Sequence, residues 1–253
     1  MPSLQKTIMI TGATSGFGKA TAELLSKHGY KLILVARRTE LLDELKKQLK
    51  TPIYTATLDV QSKKDVQAFF KTLPKEFQNI DILINNAGLA AGRDLAFEAN
   101  IEDWETMVDT NIKGLLYCTR ETLNIMKKRN TGLIINIGSV AGYAPYAGGN
   151  VYGATKAFVK HFSNNLLNDL IGTNIKVTNI EPGMAETEFS IVRFKGDTEK
   201  AKAVYENTRS LSSEDIAQTI FWVIHQPDHV NIDSVAIMPV DQAWGGVNTH
   251  RKG

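Results

Sequence analysis

Short, nearly continuous apolar runs alternate along the chain with longer amphipathic stretches. Residues 6–11 (KTIMIT) read as a buried strand. Residues 18–29 (GKATAELLSKHG) place apolar side chains at helical spacing and end on a glycine suited to a C-cap. KLILVA at 31–36 reads as a second strand, TELLDELKKQLK at 39–50 as a charged helix starting from Thr39, and PIYTATLDV at 52–60 as a third strand. Ser62 with Asp65 predicts a capping box that opens the next helix. DILINNAG at 81–88 reads as a fourth strand running into a loop, followed by one long helix over roughly 102–129. GLIINIGSVAG at 132–142 is a fifth strand and its loop, 151–170 a helix, and NIKVTNIEPG at 174–183 a sixth strand. A second capping box, Ser212 with Asp215, opens a helix over 214–225, and SVAIMPV at 234–240 is the last strand.

Strand–helix alternation implies a parallel sheet covered by helices on both faces, and such strands read as continuous apolar runs. The expected fold is α/β: a single doubly wound Rossmann-type domain over residues 1–253, with a seven-stranded parallel sheet. Ligands of such sheets bind beyond the carboxyl ends of the strands, and the unusual residues of this chain cluster there.

Composition narrows the function. At 253 residues and 43% hydrophobic, the chain suits one large α/β domain, which often reaches about 250 residues. No apolar run approaches the roughly 20 residues of a membrane span, and the first residues lack a secretory signal pattern. Cys118 is the only cysteine. An internal disulfide is therefore impossible, which fits a reducing, cytoplasmic setting. The net charge of +2 offers no field for nucleic acid. The basic end THRKG reads as a solvated terminus. His225 and His229 are separated by Pro227 and no His-Glu-x-x-His motif occurs, so no metal site is expected.

Between the first strand and first helix lies TGATSGFG, Thr11 to Gly18. Glycines there allow a tight turn and let a pyrophosphate approach a helix N-terminus. The spacing is Gly-x-x-x-Gly-x-Gly, and no Gly-Lys-Ser/Thr follows, so this is not a P-loop. At the end of the second strand an NAD site would carry an acid for the ribose hydroxyl. Here stand Ala36, Arg37 and Arg38. Two guanidiniums and no carboxylate favour the 2′-phosphate of NADP over NAD; the alternative is that both are ordinary surface charges.

Tyr152 and Lys156 are four apart on one helix, hence on one face. Ser139 ends the fifth strand, thirteen residues before Tyr152. Hydride transfer to a carbonyl needs a proton donor for the developing alkoxide. A free tyrosine, with a pKa near 10, is poorly matched to neutral pH, and a neighbouring ammonium lowers that value. Three pH units would take about 4 kcal/mol. Ser139 would hydrogen-bond the carbonyl oxygen.

TGATSGFG, NNAG at 85–88, Asn111 in TNIKG, Ser139 and YGATK, in that order, resemble the short-chain dehydrogenases/reductases, over nearly the whole chain. The resemblance implies that Tyr152 is the acid/base and that Lys156 lowers its pKa and binds the nicotinamide ribose. It implies that Asn111 anchors a relay water, and that Gly12, Ala13, Thr14, Ser15, Gly16, Phe17 and Gly18 bind NADP. It extends the cofactor site to Asp59 and Val60 at the adenine, to Asn86, Ala87 and Gly88 on the floor, and to Pro182, Gly183 and Thr187 at the nicotinamide end. Ser15 departs from the basic residue that many NADP-preferring members carry there, so phosphate recognition falls on Arg37 and Arg38.

The segment EPGMAETEFSIVRFKGD and the ending MPVDQAWGGVNTHRKG resemble a narrower branch, the NADP-dependent 3-hydroxy acid dehydrogenases, with sulfoacetaldehyde reductases as close relatives. This implies a substrate such as serine, allo-threonine or 3-hydroxypropionate, a substrate loop at about 184–210, a C-terminal tail at about 240–253 and a homotetramer. A small acid needs a cation, and Arg193 lies in that loop; its alternative role is pairing with a local acid such as Glu188. Tyr146 joins Ser139 and Arg193 as a substrate contact, and Tyr143 and Phe194 wall the pocket or simply pack. Rival readings are a reductase of small neutral ketones or sulfoacetaldehyde and, from another class, a regulatory NADP-binding protein without turnover. The second has no need of a titratable phenol.

Overall fold

The computed structural model describes residues 6–244. Its centre is a seven-stranded, wholly parallel sheet in the order β3-β2-β1-β4-β5-β6-β7. The strands are β1 (Thr7–Thr11), β2 (Lys31–Ala36), β3 (Ile53–Thr57), β4 (Ile80–Asn85), β5 (Gly132–Ile137), β6 (Ile175–Pro182) and β7 (Ser234–Ile237). The chain winds outward from β1 to β3, then returns to β1 and builds β4 to β7 on its other side. The order therefore reverses between β1 and β4, and the crevice at that reversal is where ligands of such sheets sit.

Period-two alternation assigns each strand residue to one of two cores. Ile8, Ile10, Leu32 and Leu34 pack on one face with Leu25 of α1 (Gly16–Lys27) and Ile216, Ile220 and Val223 of α9 (Ser213–Ile224). Met9, Ile33 and Val35 face the other way. They meet Val66 and Phe69 of α3 (Lys63–Thr72), Cys118 and Met126 of α5 (Leu115–Arg129) and Leu166 of α6 (Asn150–Asp169). The edge helix α2 (Thr39–Gln48) starts at Thr39, as its pattern predicts, and covers β2 with Leu42 and Leu45. Cys118 is fully buried, and burial pushes its thiol up to about 12, so it is a packing group and not a nucleophile.

Two local expectations change. The predicted helix over 102–129 is three pieces: α4 (Ile101–Val108), a π-helical turn Asp109–Gly114, and α5. Single π turns take up one extra residue and recur at functional sites; this one turns Asn111 toward the loop after β4. Ser212 and Asp215 form a reciprocal capping box at α9, whereas Ser62 only accepts from the Asp65 amide, without the return bond. After β6 come two short helices, α7 (Glu188–Arg193) and α8 (Thr198–Ala203), inside the segment expected to be a substrate loop. Most of the expected C-terminal tail lies outside the described residues. Among the described residues no helix is long and apolar enough to cross a membrane.

Candidate active site

A cleft of about 580 Å³ opens beyond the carboxyl ends of the strands. Its wall holds Gly12, Thr14, Ser15, Gly16, Phe17, Arg37, Arg38, Asp59, Val60, Asn86, Ala87, Gly88, Ser139, Tyr146, Tyr152, Lys156, Pro182, Gly183, Thr187 and Arg193. Three residues expected there stand behind the wall. Ala13 is fully buried and its amide donates to the Val35 carbonyl at 3.2 Å, so it has no N–H to offer a ligand. Gly18 packs α1 onto the turn: a Cβ there would lie 2.4 Å from the Gly12 carbonyl oxygen. Asn111 is 2% exposed.

The floor is tied to the glycine turn. The Thr11 hydroxyl accepts from the amides of Asn86 (3.0 Å) and Ala87 (2.9 Å), and the Asn86 amide group donates to the carbonyls of Thr11 and Gly12. Ser15, the N-cap of α1, makes no side-chain capping bond, and the first turn carries no acid. Ser15, Gly16 and Phe17 line the cleft at the positive end of the helix dipole, a setting that favours an anion.

At the other end of the cleft Arg37 and Arg38 are exposed. Arg38 donates to the Glu188 carboxylate at 3.1 Å and to the Thr14 hydroxyl at 3.2 Å. Glu188, a candidate partner for Arg193 by its place in the sequence, pairs instead with Arg38. Asp59 accepts from the Gln61 amide at 3.0 Å, and the Gln61 side chain donates to the Thr110 hydroxyl at 2.7 Å.

Tyr152 and Lys156 project from α6 into the middle of the cleft, 9% and 7% exposed. The Lys156 ammonium lies 5.9 Å from the centre of the Tyr152 ring and donates to the Ile137 carbonyl at 2.8 Å. Burial holds the lysine down at about 8. Within the protein alone, burial opposes the expected acidification of the phenol. Burial pushes Tyr152 up to about 12, against the downward pull of the Ser139 hydroxyl and the Arg193 guanidinium. Desolvation of the buried phenol outweighs those partners, and the nearby ammonium is directed at a carbonyl. Ser139 is the N-cap of a short 3₁₀ turn, accepting from the Ala141 amide. Asn111 accepts from the Leu89 amide (2.9 Å) and donates to the Leu89 carbonyl (2.8 Å) and the Thr155 hydroxyl (3.0 Å). It therefore fixes the loop after β4 against the helix that carries Tyr152.

Above Tyr152 the Arg193 guanidinium lies 5.7 Å from its ring centre, donates to the Tyr146 hydroxyl at 3.0 Å and to the Gly92 carbonyl at 3.2 Å. No carboxylate pairs with it among the described residues. Tyr143 and Phe194 do not line the cleft; the Tyr143 hydroxyl instead bonds the buried Glu181 and Lys160. Several lining residues escaped sequence reasoning. Phe189 packs tilted against Tyr152 with ring centres 5.5 Å apart, Gln242 accepts from the Met184 amide, and Arg93 stands in the loop after β4. Arg93 carried a signal, a charge just beyond a strand's carboxyl end; Phe189 and Gln242 carried none.

The short chain dehydrogenase family model matches residues 6–197. The NADP-dependent 3-hydroxy acid dehydrogenase YdfG of Escherichia coli (strain K12) is 53% identical over 246 residues, covering 97% of this chain and 99% of that one. The serine 3-dehydrogenase of Rhizobium radiobacter is 46% identical over 246 residues, covering 97% and 98%. A solved closed form of serine dehydrogenase complexed with NADP+ superposes with a TM-score of 0.95 at 53% identity, covering 97% of this chain and all of that one. The chain belongs to the short-chain dehydrogenase family.

Proposed function

We propose that this protein is an NADP(H)-dependent oxidoreductase that interconverts a small 3-hydroxy acid and its 3-oxo form, with Tyr152 as the acid/base. Serine, allo-threonine and 3-hydroxypropionate are the substrate types. The observation that carries the reading is the placement of Arg193, without a carboxylate partner, directly over the Tyr152 ring. An acid held there would bring its third carbon to the phenol. The names of the 3-hydroxy acid and serine dehydrogenases, at 46% identity and above, support the same substrate class and cofactor.

The donor set suits NADP. Amides of the α1 N-terminus would hold a pyrophosphate, Arg37 and Arg38 would supply guanidiniums for a 2′-phosphate, and the first turn of α1 holds no acid to repel the pyrophosphate. Gly12, Thr14 to Phe17, Asp59, Val60, Asn86 to Gly88, Pro182, Gly183 and Thr187 form the remaining walls. When bound, the cofactor supplies or accepts the hydride.

Everything else falls to side chains of this chain. Tyr152, protonated at neutral pH, donates its proton to the developing alkoxide during carbonyl reduction and takes it back during oxidation. The Ser139 hydroxyl, beside the phenol, orients the carbonyl oxygen. Lys156, charged below pH about 8, stabilises negative charge that develops on the phenol and would hold the cofactor's ribose. Asn111 positions the loop after β4 and, through Thr155, the Tyr152 turn of α6. Phe189 closes over the phenol and excludes water. We extend the reading to one catalytic domain in a cytoplasmic homotetramer, supported by the buried lone cysteine and the family resemblance; light scattering at four times the 28.0 kDa chain mass would check the assembly.

The test is NADP+ reduction with serine, allo-threonine and 3-hydroxypropionate. Turnover on at least one supports the proposal, and silence on all three overturns it. Turnover confined to neutral alcohols and indifferent to Arg193→Ala would favour a general carbonyl reductase.

A further inference from the structure

One charged side chain of the cleft has no role in this chemistry. Arg93 is exposed in the loop after β4, and its guanidinium carbon lies 5.9 Å from the centre of the Tyr146 ring. The Arg193 guanidinium carbon lies 5.6 Å from the same ring. Among the described residues Arg93 forms no ion pair, and neither arginine faces a carboxylate within pairing distance. The carboxylates of the cleft wall are engaged elsewhere, Asp59 with the Gln61 amide and Glu188 with Arg38. Asp94 and Asp103 line a separate small cavity behind Tyr152, and Asp103 is held by Lys195 at 2.8 Å. Two cations thus stand at one phenol without an ion-paired carboxylate on either, an arrangement that an anion relieves.

The backbone builds this corner. Gly92 donates its amide to the Arg193 carbonyl at 2.9 Å and accepts from Arg193 Nε at 3.2 Å, so the residue before Arg93 is clasped to Arg193 itself. On the other side Gly148 has a φ of 74°, and a Cβ there would lie 2.2 Å from the Arg93 carbonyl oxygen. Only glycine lets the Arg93 loop seat against the turn that carries Tyr146.

We propose that Arg93 is a second substrate-binding cation. With Arg193 and the Tyr146 hydroxyl it receives the acid group of the substrate, and it sets the preference for anionic over neutral alcohols. The proposal rests on the reading of the enzyme as a hydroxy-acid oxidoreductase.

The experiment compares kcat/KM for 3-hydroxypropionate and for 1,3-propanediol. It also measures the inhibition constant of propionate, which has the acid but no hydroxyl. Wild type, Arg93→Ala, Arg93→Lys and Arg193→Ala are assayed, each with a thermal melt. Arg93→Ala should lower the acid-to-diol ratio about tenfold, through KM, and raise the propionate constant about tenfold, the scale of hydrogen bonds to a charged group. Arg93→Lys should recover part of both. An unchanged ratio and propionate constant in Arg93→Ala, with a loss in Arg193→Ala, would overturn the role of Arg93 and leave the hydroxy-acid reading intact. A wild-type enzyme that ignores 3-hydroxypropionate and does not bind propionate would overturn both. If Arg93→Ala melts early, Arg93→Lys alone decides: a propionate constant raised less than in Arg193→Ala supports the proposal, and an unchanged one overturns it.

Discussion

The Arg38 guanidinium meets the Glu188 carboxylate at 3.1 Å, joining the end of β2 to the start of α7 across the mouth of the cleft. Arg38 is also a proposed ligand of the cofactor's 2′-phosphate, so Glu188 competes for the same donor. The pair is half exposed, which limits its worth to about 1 kcal/mol or less. Glu188→Gln should therefore tighten NADPH binding by about two- to fivefold and leave NADH nearly unchanged. Fluorescence titration of both cofactors measures this, and equal changes for the two would disconnect Glu188 from phosphate recognition.

Removing the arginines should do the reverse. Arg37→Ala combined with Arg38→Ala should weaken NADP at least about tenfold more than NAD, since hydrogen bonds to charged groups contribute about 1.5–3 kcal/mol. Parallel KM measurements with the two cofactors check it, and equal losses would contradict the phosphate assignment.

The pH dependence follows from Lys156 and Tyr152. With the lysine held down at about 8, carbonyl reduction should decline as pH passes 8 and its ammonium is lost. Lys156→Arg should carry that decline to higher pH in whatever activity remains. Stability should move oppositely. The folded lysine releases its proton before the unfolded one does, so stability rises from pH about 8 toward 10; above that, the raised Tyr152 phenol reverses the trend. Burying the charge at neutral pH costs on the order of 3 kcal/mol by that shift. Lys156→Met should accordingly raise Tm by a few degrees while abolishing turnover, as calorimetry beside an assay would record.

Gly18 tests the packing of the phosphate turn. An alanine Cβ would stand 2.4 Å from the Gly12 carbonyl oxygen and 2.5 Å from the Asn86 side-chain nitrogen Nδ2. Because the first is backbone and the second is held by two carbonyls, Gly18→Ala should cost about 1–3 kcal/mol and lower Tm by several degrees. An unchanged melt would show the turn to be looser than its contacts imply.

The periodicities revealed the parallel sheet because both its faces are buried, so Ile8 to Ile10 and Leu32 to Val35 read as unbroken apolar runs. The glycine turn, Ser139, Tyr152 and Lys156 were legible because chemistry and spacing coincide at strand ends. The electrostatics of Tyr152 were not, since desolvation depends on how Phe189 and the α7 segment close over the phenol. Pairing was equally hidden. Glu188 is five residues from Arg193 but bonds Arg38, and Arg93 and Tyr146 meet only because Gly148 allows two loops to touch. The π turn at Asn111 escaped periodicity, which carries no trace of the bonds its side chain makes to the distant Leu89.

The most direct test is Tyr152→Phe, read by single-turnover carbonyl reduction with NADPH and by NADPH fluorescence. A proton-donor role predicts a loss of about 10²–10⁴-fold in rate, with cofactor affinity far less affected. A variant that retains its rate within a factor of a few would contradict the assignment of Tyr152 as the group that moves the proton.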